Sequence, residues 1–276
     1  MKKIWIITVL LAGLMAGCGS NPPAASSPAP KDRLLVELLS TGKSDCALIY
    51  IDDLVIVSDA ADLDDADQIR TTLRADGVNK IDYLILSHYD KDHIGSAAVL
   101  INEFEVGAVL RPAYTEDSNE YEALIAAEKK RNVPVTILNE DYTIKTANGY
   151  VTADPPDIDY GDDNNNSVIT TVYYRGHRLL FMGDAKKKRT EEYLEAVDED
   201  LDFVKLPHHG DWNKALEKLL GRSTLRWAVA TVESPKDISS KLISKLDETG
   251  VVLYLTSNGK IKISWAGNDL SVEQTK

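Results

Sequence analysis

The stretch SHYDKDHIGS, from Ser87 to Ser96, constrains this chain more than any other part of its sequence. It follows the apolar run Ile81–Leu86, which predicts a β-strand, and it holds four side chains of metal-ligand type: His88, Asp90, Asp92 and His93. Because side chains alternate along a short loop, the first imidazole and carboxylate can face one ion while the second pair reaches another. Imidazole with carboxylate suits Zn²⁺, Fe or Mn²⁺. A polar loop that caps a helix would explain any one of these residues, but four together predict a metal site.

The pattern His-x-Asp-x-Asp-His after a strand, continued by Ile94-Gly95, resembles the metallo-β-lactamase superfamily. Asp90 stands where most members carry a second His, and this variant resembles the hydrolase domain of the ComEC family and its free-standing relatives. The resemblance implies an α/β fold, the αβ/βα four-layer sandwich, in which two mixed sheets lie between outer helices and the ligands lie at strand ends. It also implies two divalent metal ions, Zn or Mn.

Two later segments extend the ligand set that the resemblance implies. Gly183-Asp184 ends an apolar run, and Asp184 matches the carboxylate that bridges both metals in ComEC-like domains. Asn166 matches the position where other superfamily members carry a third His, with Asn164 as the alternative. The resemblance thus assigns Asn166 and Asp184 to the metals.

The segment Pro207-His208-His209-Gly210 resembles the family's late histidine motif. His208 would bind the second metal, whereas His209 could be a ligand, a hydrogen-bond partner of a ligand or a proton carrier. A buried pair of core histidines is the alternative. Asp59 matches the Asp that ends the family's third strand, and it would accept a hydrogen bond from a ligating His and fix its orientation.

The chain also departs from the family at two places. Ala60 and Ala61 follow Asp59, where members usually carry a small residue and then Gly. Residues 233–236 hold no His, although ComEC usually carries one there. His177 follows a turn glycine, and we interpret it as a solvated turn residue and not as a ligand.

Three lysines directly follow the bridging carboxylate: Lys186, Lys187 and Lys188. Cations at the start of a helix oppose its dipole, so a role in stability alone explains them poorly. They indicate either an anion-attracting substrate rim beside the metals, which would favour a phosphoester, or a solvated first turn balanced by Glu191 and Glu192.

Residues 1–17 predict a lipoprotein signal peptide. Lys2 and Lys3 precede the apolar run Ile4–Met15, which is too short to span a bilayer as a stable anchor, and small residues then precede Cys18 as in a bacterial lipobox. Cys18 would carry the lipid, and residues 18–30, rich in Pro, Ser and Ala, would form a tether. The prediction is an extracytoplasmic, membrane-anchored bacterial lipoprotein; an ordinary secretory signal cleaved nearby is the alternative.

Residues 31–276 are long enough for one large domain with a sizeable core. Cys46, expected in a strand core, and Cys18 are the two cysteines, so the domain has no internal disulfide. The net charge of −13 opposes stable binding of long nucleic acid, whose affinity comes largely from neutralised phosphates. The expected partners are a small-molecule or short phosphodiester substrate and, through Cys18, the membrane; no oligomeric state is predicted.

Apolar periodicity and turn signals predict the order of the elements. The expected strands are Leu34–Leu38, Ala47–Ile51, Val55–Val57, Ile81–Leu86, Ala108–Leu110, Val133–Leu138, Val151–Ala153, Val168–Tyr174, Arg178–Met182, Phe203–Leu206, Arg226–Val232, Val251–Leu255 and Lys260–Trp265. The expected helices are Ala66–Asp76, Ala97–Phe104, Ser118–Arg131 and Pro235–Thr249. Arg175-Gly176 and Ser257-Asn258-Gly259 are each expected to close a hairpin.

These features lead to three functional hypotheses. The first is a dinuclear metallohydrolase of phosphodiesters, either short nucleic acid or a cell-envelope phosphoester such as phosphorylcholine, in which two metals lower the pKa of a bridging water. Its catalytic residues would be Asp92, Asp184 and His209. The second keeps the metallohydrolase with an amide, lactam or thioester substrate. The third is a metal-binding lipoprotein with reduced catalysis, suggested by the two departures. DNA uptake is not implied, because the membrane-channel segments of ComEC have no counterpart here.

Overall fold

The structure, a computed structural model, describes residues 33–275. The first half of that range forms, in order, β1 (Leu34–Leu38), β2 (Ala47–Ile51), β3 (Leu54–Ser58), α1 (Ala66–Ala75), β4 (Lys80–Ile85), α2 (Lys91–Ile94), α3 (Ala97–Glu103), β5 (Glu105–Pro112), α4 (Asn119–Arg131) and β6 (Val135–Leu138). The second half forms β7 (Tyr142–Lys145), β8 (Gly149–Asp154), β9 (Ile169–Tyr174), β10 (His177–Phe181), α5 (Lys187–Ala196), β11 (Phe203–Lys205), α6 (Leu216–Leu220), β12 (Trp227–Ala230), α7 (Ser240–Thr249), β13 (Val252–Leu255), β14 (Lys260–Trp265) and β15 (Leu270–Thr275). Single 3₁₀ turns at Asn164–Asn166 and Pro207–Gly210 lie between these elements.

The strands form two mixed sheets. One has the order β15-β14-β1-β2-β3-β4-β5-β6, and the other has the order β13-β12-β11-β10-β9-β8-β7. In the first sheet, β1, β2 and β3 form the expected antiparallel meander, and β3, β4, β5 and β6 run parallel. In the second, β10, β11, β12 and β13 run parallel, so helices must connect them.

Three apolar clusters explain how these layers stack. The first fills the space between the two sheets and joins Ile49 of one to Val172 of the other. The second packs the outer face of the first sheet against helices that include α1, through Ile69. The third packs Leu180 of β10 against Leu194 of α5 on the opposite outer face. The result is helix, sheet, sheet and helix, which confirms the predicted four-layer α/β sandwich.

One predicted turn is wrong. Ser257-Asn258-Gly259 does not close a hairpin, because β13 pairs in parallel with β12 in the second sheet while β14 pairs antiparallel with β1 in the first. The segment therefore crosses from one sheet to the other. The local turn signal is the same for both connections, and only the distant partners of each strand distinguish them. The hairpin at Arg175-Gly176, between β9 and β10, has the predicted antiparallel pairing.

Short elements at the periphery were not predicted either. β7 is a four-residue edge strand, α6 is a five-residue helix, and β15 is the outermost strand of the first sheet. Each is too short or too polar for its apolar residues to show a clear helix or strand periodicity. Within residues 33–275, no helix has the length and apolar character needed to cross a bilayer. The predicted signal peptide, Cys18 and the tether lie outside the described residues.

Candidate metal centre

The ligand-type residues lie where strands of both sheets end on one edge. β4 runs into residues 88–93, β10 runs into Asp184, and β11 runs into residues 207–210. Because β10 and β11 are parallel neighbours, their carboxyl ends coincide. The backbone N–H of His208 donates to the carbonyl of Gly183 at 3.1 Å, which joins the last two loops directly.

Asp184 is the centre of this arrangement and is only 2% exposed. Its Oδ1 lies 3.2 Å from Nε2 of His93, and its Oδ2 lies 3.2 Å from Nε2 of His209. The same Oδ2 lies 3.9 Å from Nε2 of His208 and 4.0 Å from Nε2 of His88. One carboxylate thus faces four imidazoles with both oxygens, which is the arrangement that a bridging ligand requires.

The cluster has two sides that differ in depth. We call the inner side the group formed by His93, His209 and Asp92, and the outer side the group formed by His88, Asp90 and His208. On the inner side, Nε2 of His209 lies 3.3 Å from Oδ2 of Asp92. On the outer side, Nε2 of His88 lies 3.4 Å from Oδ2 of Asp90, whose side chain is 46% exposed. The outer side therefore reaches solvent through Asp90, whereas His88 is buried.

Each inner imidazole is held from behind through Nδ1. His93 Nδ1 lies 2.9 Å from Oδ2 of Asp59. His209 Nδ1 lies 2.9 Å from the hydroxyl of Thr231 and 3.5 Å from Oδ1 of Asp45. These contacts fix the tautomer in which Nδ1 carries the proton and Nε2 is free to bind a metal.

Asp45 is itself held by a buried cation. The Lys205 ammonium donates to its Oδ2 and also, at 3.2 Å, to the carbonyl of Gly183, and the Thr231 hydroxyl donates to its Oδ1 at 2.6 Å. Asp45 lies close enough to His93, Asp184 and His209 to be counted as a fourth ligand. Because it faces Nδ1 and not Nε2, we assign it to orienting the inner imidazoles.

The outer imidazoles have weaker partners. His88 Nδ1 lies 3.0 Å from the Ser87 hydroxyl, which donates to Asp59 at 2.8 Å. His208 Nδ1 lies 3.3 Å from Oδ2 of Asp211, a side chain that is mostly exposed. A hydroxyl and a solvated carboxylate thus replace the buried carboxylates of the inner side.

The polar atoms at the centre fit a metal. His88 Nε2, His93 Nε2 and Asp184 Oδ1 are buried, and none of the three has a hydrogen-bond partner of acceptable geometry within the described residues. Buried polar atoms are almost always satisfied. An ion coordinated by these atoms would satisfy all of them, and nitrogen with carboxylate oxygen is a donor set typical of Zn²⁺ and Mn²⁺.

The electrostatics also call for positive charge here. Burial favours the neutral form of the His93 imidazole. The carboxylates of Asp184, Asp45 and Asp59 nevertheless hold the pKa of His93 well above its usual value. Burial likewise favours the neutral form of His209, yet the hydrogen bonds that its imidazole donates to Asp184 and Asp45 raise the pKa of that residue to about 10. The metal-free cluster thus compensates its carboxylates with protons, in the place that a divalent cation would take.

Backbone strain concentrates at the same loops. Asp59, Ala61, His208 and His209 have φ values of 57°, 49°, 48° and 56°. For residues other than Gly this conformation costs roughly 1–2 kcal/mol each, and it persists where surrounding contacts enforce it. Ala61 shows that the loop forms without the family's Gly, since Asp59 still reaches His93.

The predicted third ligand position differs from what the structure shows. The side-chain amide of Asn166 donates to Asp159 at 2.8 Å and accepts from the N–H of Tyr160 at 2.9 Å, so it belongs to the preceding loop. The amide of Asn164 lies 3.3 Å from Oδ2 of Asp184. The alternative, Asn164, is therefore the residue beside the cluster.

The three predicted rim lysines do not share one environment. Lys186 pairs with Asp162 at 3.3 Å, Lys187 pairs with Glu191 along α5, and Lys188 lies over a tyrosine ring. His177 is less solvated than expected, because Nδ1 lies 3.0 Å from Asp202 and the ring packs on Trp265. It is not in either metal-ligand group of the described residues.

Sequence reasoning missed three residues that hold the inner side: Asp45, Lys205 and Thr231. Asp45 lies in the turn before β2, outside the ligand-rich segments. Lys205 and Thr231 lie in apolar strand runs and carry no motif of their own. Cys46 is buried and free, as expected, but it lies just before β2 and not within a strand.

Comparison with known proteins agrees with this architecture. Residues 40–226 match the family model of the metallo-beta-lactamase superfamily. This match spans more than half of the chain, and the chain therefore belongs to that superfamily. Its fold of two mixed sheets with His and Asp residues at the strand ends is that of a metallohydrolase.

Individual proteins and solved structures are similar to this chain. The chain is 26% identical over 151 residues to ComE operon protein 3 of Bacillus subtilis (strain 168), a match that covers 54% of this chain and 19% of that protein. It resembles the metallo-beta-lactamase fold protein YhfI from Bacillus subtilis with a TM-score of 0.51 and 10% identity, over 80% of this chain and 96% of that one. Igni18, a metallo hydrolase from Ignicoccus hospitalis, aligns with a TM-score of 0.48 and 14% identity, over 88% and 100%. The predicted resemblance to ComEC-like proteins is confirmed, over less than a fifth of that relative's length.

Proposed function

We propose that this protein is a dinuclear metal-dependent phosphodiesterase of the extracytoplasmic face. The observation that carries the proposal is the convergence of four imidazole Nε2 atoms on one buried carboxylate, Asp184. His93, His209 and Asp92 would hold one ion, His88, Asp90 and His208 would hold the other, and Asp184 would contact both. Divalent ions so held lower the pKa of a bound water and stabilise charge that develops on a phosphoryl oxygen.

The chain's own residues supply orientation and charge. Asp59 and Thr231 hold the inner imidazoles by Nδ1, so that Nε2 is the nitrogen that each ring presents to a metal. Burial lowers the pKa of His208, and the nearby Lys186 contributes in the same direction, so its imidazole is neutral near pH 7. Of the three rim lysines, Lys186 is the one whose charge acts on His208, which favours an anionic substrate.

The test is turnover of bis-p-nitrophenyl phosphate by purified protein with Mn²⁺ or Zn²⁺, alongside a lactam and a thioester. We expect nitrophenolate to be released only when metal is present and turnover to be lost when the metal is chelated. Metal analysis should find two ions per chain. Turnover of the lactam or thioester, without turnover of the phosphodiester, would assign the enzyme to that substrate class instead. Tight metal binding with no turnover of any substrate would identify a metal-binding lipoprotein.

We also propose that the protein is anchored to the membrane by a lipid on Cys18. The support is the sequence of residues 1–30, with its basic start, short apolar run and Pro/Ser/Ala tether. Mass spectrometry of the native protein should find diacylglycerol at Cys18, and Cys18→Ser should release the protein from the membrane fraction. Recovery of an unmodified, freely secreted native chain would contradict the anchor.

A further inference from the structure

A second concave feature adjoins the metal centre. It is a cavity of about 360 Å³ at the carboxyl ends of β5 and β6, closed on its third side by the loop of residues 155–159. Because β5 pairs in parallel with β4, the cavity lies next to the strand end that carries His88. Its volume lies within the range of about 300–1,000 Å³ found for small-molecule sites.

Two contacts connect this cavity to the ligands. Tyr114, which lines it, accepts a hydrogen bond at 3.2 Å from the backbone N–H of Tyr89, the residue between His88 and Asp90. Asn166, on another wall, belongs to the same 3₁₀ turn as Asn164, whose amide lies 3.3 Å from Asp184. The cavity is therefore joined to the ligand loop by one hydrogen bond and to Asn164 by one 3₁₀ turn.

The lining is largely apolar. Its apolar side chains are Pro112, Leu138, Pro155, Pro156 and Ile158. Ile158 is 60% exposed, and the prolines give the walls little freedom to collapse. Tyr114 and Asn139 supply neutral polar groups. Such a lining accepts a compact organic group and desolvates it at little cost.

The charge around the cavity is negative. Its charged lining residues are Asp157 and Asp159, and no basic residue is among its lining residues in the described part of the chain. The cation Lys186 instead pairs with Asp162, near His208. The charges therefore differ in sign: a cation lies on the side of His208, where the phosphoryl group would bind, and carboxylates line the cavity.

We propose that this cavity holds the non-reacting organic group of the phosphodiester, and that it selects a neutral or cationic group over one with a further negative charge. This inference rests on the phosphodiesterase function proposed above. It makes polynucleotides poor substrates, because the next phosphate would enter the acidic cavity, and it favours diesters with one compact organic substituent.

The experiment uses p-nitrophenyl phosphodiesters that differ only in the group that stays on phosphorus. These groups are methyl, phenyl, 4-trimethylammoniophenyl and 4-carboxyphenyl. We expect kcat/KM to fall about tenfold from phenyl to methyl, the usual value of one buried apolar group. We expect a fall of about tenfold from phenyl to 4-carboxyphenyl, since like charges repel across a partly desolvated site, and no fall for the ammonium compound.

Variants test whether the cavity causes the discrimination among the diesters. Asp157→Asn should reduce the discrimination against the carboxylate severalfold, whereas Asp198→Asn, the same charge change on the exposed loop after α5, should not. Ala113→Phe, which narrows the cavity, should raise KM for the phenyl diester and leave the methyl diester unchanged. Equal effects of the two Asp variants, or equal effects of Ala113→Phe on both diesters, would overturn the assignment.

A binding measurement separates this inference from the proposed function. Diarylphosphinates with the same 4-substituents have no ester bond, and calorimetry can follow their binding to the metal-loaded protein. The same order of affinities without turnover of any diester would support the cavity and overturn the phosphodiesterase function. A reversed or flat order, or no binding of any phosphinate, would overturn the cavity assignment even if diesters are hydrolysed.

Discussion

The inner and outer sides of the metal centre use the same ligand types but support them differently. Inner imidazoles are held by buried groups, with Asp59 behind His93 and with Thr231 and Asp45 behind His209. Outer imidazoles are held by a hydroxyl, Ser87, and by the solvated Asp211. Carboxylate partners raise ligand basicity and fix ring orientation, so the inner side should bind its ion more tightly. The exposed carboxylate of Asp90 belongs to the outer side, so we expect substrate to displace water there.

Removing the carboxylate shared by both sides should have the largest effect. Asp184→Ala removes the ligand that faces all four imidazoles, so we expect turnover to fall at least about a hundredfold, comparable with loss of a main electrostatic catalytic group. Metal analysis should show fewer than two ions per chain. His177→Ala is the control, because His177 contacts Asp202 and Trp265 and lies outside both ligand groups. Full activity in Asp184→Ala would reject the dinuclear mechanism.

The candidate ligands are the part of the site that the sequence indicates most directly. His88, Asp90, Asp92 and His93 are contiguous, and a strand end fixes where such a loop must lie. The supporting groups are different, because their partners are remote in sequence: Lys205 and Asp45 are 160 residues apart, and Thr231 and Asp45 are 186 apart. A single sequence gives no sign of such pairs. The sequence also cannot decide which of Asn164 and Asn166 lies beside Asp184, because these two residues of one 3₁₀ turn point to different partners.

The buried ion pair behind the inner side should matter most for stability. Lys205→Met leaves Asp45 buried without its cation, and breaking a buried pair in this way costs about 3–5 kcal/mol. Denaturation of metal-loaded protein by urea measures this loss. Lys187→Met removes an exposed pair with Glu191 and should change the free energy of unfolding by less than about 1 kcal/mol. Adding Asp45→Asn to Lys205→Met should restore part of the stability; no restoration would mean that Lys205 acts through packing alone.

A matched pair of substitutions compares the two sides directly. Asp59→Asn and Asp211→Asn each remove a carboxylate from the Nδ1 of a ligand His, and Asn tolerates the positive φ of Asp59. We expect Asp59→Asn, which also disturbs the Ser87 contact behind His88, to weaken metal binding about 10- to 100-fold and Asp211→Asn to have little effect, as measured by competition with a chelating dye. Equal losses would show that burial does not distinguish the two sides.

Competition between protons and metal should also be strongest on the inner side. The pKa of His209 is raised to about 10 and that of His93 is also raised, so both bind protons near pH 7 when the metal is absent. Metal binding must release these protons, so the inner affinity should rise with pH by up to about tenfold per unit for each imidazolium. The stability that the raised pKa values give the metal-free protein is complete below about pH 6.5, the ordinary His value, and is lost as pH rises toward 10. The difference in Tm between metal-loaded and metal-free protein should therefore widen from pH 6.5 to pH 9. A constant difference would contradict protonation of the empty inner side.

The smallest effect concerns the charge next to the outer side. Lys186 pairs with Asp162 and lies near His208, whereas Lys187 points along α5 to Glu191. Lys186→Ala should raise KM for an anionic phosphodiester by about two- to fivefold, the value of one partly exposed charge interaction, and should leave KM for a neutral ester unchanged. Lys187→Ala is the matched control on the same helical turn and should alter neither constant. If both variants raise KM equally, the lysines act only through the net charge of the protein; if neither does, the substrate's charge is neutralised entirely by the metals.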